Sequence, residues 1–160
     1  MSLADATSWN DDLDRIMGVM AAAFAPEFGE AWTRRQVGDA LLLGNTRYGL
    51  IAPHGGIPAD AADETAGFFL ARRVLDEEEL LLFAIAPAFR RRGLGRALLE
   101  RVVAEARDAG VKRLFLEMRD GNSAESLYRS AGFVRIGVRP GYYRTAAGRL
   151  DAVTQQLAIG

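Results

Sequence analysis

The chain has 160 residues, of which 49% are hydrophobic and 26% are charged, and this composition predicts one compact globular domain rather than a disordered chain. Its 20 Lys and Arg balance 21 Asp and Glu, so no overall basic field favours nucleic acid or a membrane surface as a partner. Without cysteine, and with His54 as the single histidine, disulfides and thiolate chemistry are excluded, and neither a zinc site nor a Ser-His-Asp triad has support.

Two helices are predicted in the first part of the chain. The second is expected to begin at Thr33, which forms a capping box with Gln36 while Trp32 and Val37 form a hydrophobic staple, and to end near Gly44. The first is expected to end before Pro26, and its apolar positions recur at helical spacing: Leu13, Ile16, Met17, Met20 and Phe24.

Three strands follow, with sequences "RYGLIA", "AGFFLARRVL" and "EELLLFAIA". The first two are separated by "PHGGIPADAADET", a loop rich in turn formers, and the short connections predict an antiparallel meander. His54 lies in this loop, where we expect a solvent-exposed side chain rather than a catalytic one.

The second half alternates helices and strands. Leu94, Leu98, Val102 and Ala106 mark one face of a helix that Gly110 closes. A strand "VKRLFLEMR", a short helix "NSAESLYRSA" stopped by Gly132, and two strands "FVRIGV" and "DAVTQQLAI" complete the chain. This order indicates a mixed-sheet α+β or α/β sandwich.

The segment "FRRRGLGRALLE", residues 89–100, places arginines and glycines at a helix start. A helix N-terminus exposes unpaired N–H groups and partial positive charge, so this segment predicts an anion site. A P-loop is excluded because no Gly-Lys-Ser/Thr follows, and a dinucleotide fingerprint is excluded because Leu98 replaces its third glycine.

Arg90, Gly93 and Gly95 instead form Arg-x-x-Gly-x-Gly, which resembles the acetyl-CoA signature of the GNAT superfamily of N-acetyltransferases. The later "LYRSAGF" resembles that family's Leu-Tyr-x-x-x-Gly-Phe element. The tail "RPGYYRTAAGRLDAV", with Arg139, Tyr142, Tyr143, Gly148, Asp151 and Ala152, and the early piece from Phe28 to Trp32 are similar to the ribosomal-protein alanine N-acetyltransferases.

The resemblance implies a single GNAT domain over residues 1–160, with a mostly antiparallel central sheet flanked by helices, and acetyl-CoA as cosubstrate without a metal. Backbone N–H groups around Ala84 and Ile85 would polarise the thioester carbonyl, and Pro87 is consistent with the end of the ladder there. Asn122 is expected to contact the pantetheine arm, although it precedes Tyr128 by one residue fewer than is usual and is equally suited to cap the helix. The predicted coenzyme-binding residues are Phe83, Ala84, Ile85, Arg90, Arg91, Arg92, Gly93, Leu94, Gly95, Arg96, Asn122 and Tyr128.

The implied reaction is direct attack of a neutral amine on the thioester. Glu117 matches the family's glutamate, and the resemblance implies that it is the base and acts through a water; the alternative is a strand carboxylate paired with Arg119 or Lys112. Tyr128 is the candidate acid for the departing thiolate, and it can at the same time pack beside Phe133. Tyr142, Tyr143 and Trp32 are candidates for the wall of the acceptor groove, with a core position as the alternative.

An α-amine with a pKa near 8 is about a tenth neutral at pH 7, whereas a lysine is neutral in only about 0.04% of molecules. An N-terminal α-amine is therefore the easier substrate for a carboxylate base, and the resemblance implies the N-terminus of a protein such as a ribosomal protein as the acceptor. A small amine such as an antibiotic, polyamine or amino acid, or a non-catalytic acyl-CoA-binding module, stays open. The sequence has no leader-like start and no apolar run of about eighteen residues, so we expect the protein in the cytoplasm and without a membrane partner. The balanced charge argues against a nucleic-acid partner, and we expect a monomer or a homodimer.

Overall fold

The computed structural model of the protein describes residues 3–60 and 62–160. Residues 1, 2 and 61, which the single-domain prediction also includes, lie outside this part. Two single 3-10 turns, Pro26–Phe28 and Pro87–Phe89, accompany the regular elements. These elements are α1 (Leu3–Ala23), α2 (Arg34–Leu41), β1 (Thr46–Ile51), β2 (Gly67–Val74), β3 (Glu77–Ile85), α3 (Leu94–Asp108), β4 (Arg113–Arg119), α4 (Glu125–Ser130), β5 (Val134–Thr145) and β6 (Gly148–Ala158).

The described strands form one six-stranded sheet in the order β1-β2-β3-β4-β6-β5. Pairs β1–β2, β2–β3, β4–β6 and β5–β6 are antiparallel, and β3–β4 is parallel. The meander prediction and the mixed, mostly antiparallel sheet are therefore confirmed. The parallel pair arises because α3 is the connection that carries the chain from β3 back to the same end of the sheet.

Apolar side chains cover both faces of the sheet. Alternation along β2 sends Phe69 and Ala71 toward α3, and Phe68 and Leu70 toward α1 and α2. The predicted apolar stripe of α3 is buried on the first face: Leu94, Leu98, Val102 and Ala106. The sheet is thus a middle layer, with α3 on one side and α1 with α2 on the other.

The capping box of α2 is present as predicted. The Thr33 hydroxyl accepts from the Gln36 N–H at 3.2 Å, and the Gln36 side chain accepts from the Thr33 N–H at 2.8 Å. Val37 is fully buried beneath a partly buried Trp32. The helix ends at Leu41, earlier than the predicted Gly44.

The C-terminal hairpin is longer than predicted. β5 continues past Val138 to Thr145, and β6 begins at Gly148 rather than at Asp151. "Pro-Gly" reads as a strand breaker, but here Pro140 and Gly141 occupy an irregularity between Arg139 and Tyr143. The Asp151 carboxylate accepts from the Gly141 N–H at 2.8 Å, so a side chain replaces the missing ladder bond and the strand resumes.

A bulge in β3 opens the sheet. Leu70 pairs with Leu82 and Ala71 with Leu80, which leaves Leu81 as the extra residue. Leu80 is also the last residue of β3 that pairs with β4, opposite Leu116. Because a bulge bends its strand, β3 diverges from β4 from this point while it stays paired with β2. The two central strands β3 and β4 therefore separate beyond Leu80, and a cleft can form between them.

Candidate active site

The opening between β3 and β4 exposes peptide groups of β3. The Ala86 N–H donates to the Ala66 carbonyl at 2.8 Å, so it points toward β2. Since strand N–H groups alternate in direction, those of Phe83 and Ile85 point into the opening. The Ala84 N–H points toward β2, where Ala84 lies opposite Phe68, so the donor predicted at Ala84 is revised to Phe83.

The N-terminus of α3 lies just beyond the end of β3. Its N-cap is Gly93 in the left-handed region, with φ of +78°, and neither a capping side chain nor an acidic residue occupies the first turn. Arg91 also has a positive φ, of 63°. The first-turn N–H groups, including those of Leu94 and Gly95, are thus directed away from the helix with local positive potential, as an anion site requires.

The arginines of the segment have separate partners. Arg90 donates from Nε to the Ile85 carbonyl at 3.0 Å, which ties the loop to the end of β3. Arg92 stacks on Phe89, with its Cζ 5.5 Å from the ring centroid. Arg96 pairs with Glu100 at 3.4 Å on the helix surface. The structure therefore gives Arg90 a role in holding the loop, while all four arginines, Arg90, Arg91, Arg92 and Arg96, remain exposed at its rim.

The two glycines of the motif serve different purposes. Gly93 supplies the left-handed conformation, and a Cβ there would meet no atom within 4 Å. A Cβ at Gly95 would lie 3.3 Å from Leu127 Cδ2 and 3.6 Å from Ile85 Cγ1. Gly95 thus lets α3 approach α4 and β3 closely, so its requirement comes from packing as well as from access of a ligand to the backbone.

A cleft of about 610 Å³ lies at the opening, and its lining includes Leu116 from the α3 side of the sheet and Leu82 from the α1–α2 side. Glu117 and Tyr128 line it together, from β4 and α4 respectively, and Phe83 and Asn122 line it as well. The three aromatic candidates also line it: Trp32, Tyr142 and Tyr143. Residues far apart in the chain are therefore assembled around one space.

The partner of Glu117 differs from the sequence-based alternative. Arg139 of β5, not Arg119 or Lys112, lies 3.2 Å from the carboxylate, between its Nε and Glu117 Oε2. Arg139 is largely exposed, whereas the Glu117 side chain is 22% exposed. A solvated partner holds the carboxylate weakly, so the geometry leaves Glu117 able to accept a proton in the cleft.

Tyr128 is buried on the α3 side of the opening. Its ring lies between Phe83 and Phe133, with centroid distances of 6.0 and 5.9 Å in edge-on arrangements. Burial, followed by the negative charge of Glu30, raises the pKa of Tyr128 well above its ordinary value. The hydroxyl is therefore a hydrogen-bond donor at every pH near neutrality.

Asn122 does not cap α4 directly, because the N-cap of that helix is Ala124. Its Oδ1 accepts from the N–H of Ala124, the residue directly before the helix, at 2.9 Å. This bond fixes the side chain at the cleft wall with its amide group still available as a donor. The shorter spacing to Tyr128 is thus compatible with a place at the cleft.

Three residues of the cleft region were not predicted from the sequence: Phe28, Glu30 and Arg119. Arg119 donates from Nε to Glu30 Oε1 at 3.0 Å and stacks on Phe28, with Cζ 3.7 Å from the ring centroid. These contacts hold the connection between α1 and α2 against β4. Opposite charges allow Glu30 and Arg119 to form an ion pair, but the 89 positions between them leave no local sequence pattern that predicts it.

The described part of the chain offers neither a metal site nor a membrane-spanning helix. Among residues 11–60 and 62–160, whose side chains the structure describes, no cluster of His, Asp and Glu side chains could hold a metal ion. Over the same ranges, no helix has the length and apolar character needed to cross a membrane. His54 is exposed in its loop, where Nδ1 accepts from the Gly56 N–H at 3.1 Å.

Comparison with known proteins shows the family. Residues 17–133 match the Acetyltransferase (GNAT) family. The chain belongs to the GNAT acetyltransferase family. The uncapped α3 terminus and the inward N–H groups fit the diphosphate and thioester of acetyl-CoA, and as a member of this family the protein is an acetyl-CoA-dependent N-acetyltransferase.

Relatives within the GNAT family extend the comparison. A ribosomal protein bS18-alanine N-acetyltransferase of Salmonella typhimurium is 45% identical over 100 residues, which cover 62% of this chain and 68% of the relative. The enzyme of the same name from Escherichia coli K12 is 44% identical over 59% of this chain and 64% of its own length. The aligned parts thus span about two thirds of these relatives.

Solved structures agree with the GNAT assignment. The crystal structure of the ribosomal-protein-S18-alanine N-acetyltransferase from Escherichia coli superposes with a TM-score of 0.79 and 32% identity, covering 93% of this chain and 88% of that one. An acetyltransferase from Salmonella typhimurium, solved with its cofactor acetyl-CoA, has a TM-score of 0.55 and 27% identity over 61% of this chain and 60% of its own.

Proposed function

We propose that this GNAT enzyme acetylates the N-terminal α-amine of a protein, with a ribosomal protein that begins with alanine as the favoured acceptor. The observation that carries the proposal is the cleft through the sheet, with Glu117 and Tyr128 on its wall. The likeness to the Escherichia coli enzyme over nearly the whole chain supports the choice of acceptor.

The coenzyme supplies the acetyl group as a thioester. The N–H groups at the start of α3 hold its diphosphate, and those of Phe83 and Ile85 bind the thioester oxygen as negative charge develops on it. Asn122 donates to the amide-bearing arm. The exposed arginines at the rim attract the anionic diphosphate electrostatically, and this attraction weakens as the salt concentration rises.

Proton transfer is divided between the two sides of the opening. Glu117, through a water, removes the proton from the incoming ammonium, and the neutral nitrogen attacks the carbonyl carbon. The carbon–sulfur bond then breaks and Tyr128 gives its proton to the departing sulfur, while the nitrogen loses its surplus proton to solvent and the Tyr128 phenol regains a proton from solvent. No covalent enzyme intermediate is needed, which suits a chain without cysteine.

We also propose that residues 1–160 form one domain and that the protein acts in the cytoplasm, where ribosomal proteins are made. The mixed sheet and its two flanking layers support the first point, since the described elements share one sheet. The acceptor named for the relatives supports the second.

An acetylation screen tests this function. Peptides that differ in the first residue are assayed beside a polyamine, an aminoglycoside and an N-terminally blocked lysine peptide, with thiol release as the readout. We expect the Ala-first peptide to react fastest, and Glu117→Gln to lower kcat about 100-fold or more with acetyl-CoA binding unchanged. Glu77→Gln is the control, since Glu77 pairs with Arg113 on the surface. Preference for a small amine, or no turnover with any amine, would overturn the proposal.

A further inference from the structure

We propose that Glu30 binds the protonated amino group of the acceptor and is therefore a specificity-determining residue of the cleft. The inference rests on the proposed function and assigns a second carboxylate to the acceptor side, with a task different from that of Glu117. Glu30 belongs to the connection between α1 and α2 and lines the same cleft as Glu117 and Tyr128.

The Glu30 carboxylate is held before any acceptor arrives. Arg119 Nε lies 3.0 Å from Oε1, and the same guanidinium stacks on Phe28 at 3.7 Å. The side chains of Arg119 and Glu30 are only 18% and 14% exposed. Because the group is already ordered and largely desolvated, little side-chain entropy is lost when a cation binds to it.

One oxygen of Glu30 is available to a ligand. Arg119 bonds to Oε1, and among residues 11–60 and 62–160, whose side chains the structure describes, no group donates to Oε2. A carboxylate can accept several hydrogen bonds. The charge of Glu30 also raises the pKa of both Tyr128 and Tyr143, in each case after the larger effect of burial. Glu30, Tyr128 and Tyr143 line the same cleft, so in this proposal the acceptor nitrogen lies among these three side chains.

The two carboxylates have complementary tasks. At pH 7 about nine tenths of an α-amine with a pKa near 8 is protonated, so the acceptor arrives as a cation. Glu30 binds that cation through its carboxylate, which the ion pair with the largely buried Arg119 holds in place. Glu117, whose partner Arg139 is 63% exposed, then accepts the proton. The nitrogen lone pair released by this transfer forms the new bond to the acetyl carbon.

The substitution Glu30→Gln tests the proposal, because glutamine keeps the shape and can still accept from Arg119. We expect the KM for an Ala-first peptide at pH 7 to rise about 10-fold to 100-fold, the range of a charge-assisted hydrogen bond, with the KM for acetyl-CoA unchanged. At pH 9.5, where most of the amine is neutral, the ratio of variant to wild-type KM should fall toward one. Glu27→Gln is the matched control, since Glu27 lies exposed on the same connection.

A peptide that lacks its N-terminal amino group separates charge recognition from shape. Wild type and Glu30→Gln should bind this des-amino peptide equally, measured by competition against the normal peptide, and Glu30→Asp should retain the pH dependence. A KM penalty that is the same at both pH values, or an equal loss of des-amino peptide affinity, would show that Glu30 only shapes the loop and would overturn the inference. If the wild-type enzyme acetylates peptides and Glu30→Gln does so with an unchanged KM, only this inference is overturned. If the wild-type enzyme acetylates no peptide, the proposed function is refuted as well.

Discussion

Replacing Tyr128 by phenylalanine removes one hydroxyl and preserves the edge-on contacts of the ring with Phe83 and Phe133 at 6.0 and 5.9 Å. Among the described residues, no protein group accepts a hydrogen bond from this hydroxyl, so we expect the free energy of unfolding to change by less than about 1 kcal/mol. That change corresponds to a Tm shift below about 4 °C for a chain of this size.

The catalytic effect of Tyr128→Phe should be much larger than its effect on stability. Proton donation by a positioned side chain contributes about 10²-fold to 10⁴-fold in rate, which is about 2.7 to 5.4 kcal/mol of transition-state stabilisation. Single-turnover acetylation of an Ala-first peptide, followed by thiol release, measures the chemical step apart from product release. The KM for acetyl-CoA should stay within about twofold of wild type, since only the hydroxyl is lost.

Tyr48→Phe is the control for this measurement, because Tyr48 is not part of the cleft lining and its hydroxyl donates to Asp12. A single-turnover rate of Tyr128→Phe within about threefold of wild type would refute the assignment of Tyr128 as the acid. A fall in Tm of about 10 °C or more would instead show that the hydroxyl has a structural partner, and the reasoning from its buried position would fail.

Two further predictions concern the backbone of the anion site and the response to alkaline pH. Gly93→Ala should lower the free energy of unfolding by about 1 to 2 kcal/mol, which corresponds to a Tm about 2 to 8 °C lower, because alanine is strained in the left-handed conformation of Gly93. Asparagine tolerates this conformation better, so thermal unfolding of Gly93→Asn should show a smaller loss, and equal losses would contradict this account. Burial, and then Glu117, raise the pKa of Tyr143 to about 12; above pH 10 the unfolded chain loses this proton while the folded chain keeps it, so stability should decline from pH 10 to about 12. Tyr143→Phe should flatten that decline in Tm, and an unchanged slope would refute the shift.

Local sequence patterns predicted those elements that are determined by interactions between residues close together in the chain. The apolar spacing in α3 and the Thr33–Gln36 capping box depend on residues three or four positions apart, and both are present. The end of β5 was predicted too early because Pro140 and Gly141 favour a break, while the rescue by Asp151 comes from the partner strand.

The cleft depends on contacts that no local pattern carries. The divergence of β3 follows from one extra residue, Leu81, inside an apolar run whose sequence looks like an ordinary buried strand. Glu30 meets Arg119 across 89 positions, and Glu117 meets Arg139 rather than a neighbour on its own strand. Family resemblance indicated Glu117 and Tyr128, but it gave no sign of the ion pair at Glu30.

The opening between β3 and β4 has a consequence for how two substrates approach the site. Because β3 and β4 part at the bulge at Leu81 and the cleft there is lined by residues from both faces of the sheet, the coenzyme at the start of α3 and the proposed acceptor on the α1–α2 side would approach the reaction centre from different directions. A single extra residue in one strand thereby provides the space in which the two proposed substrates can meet.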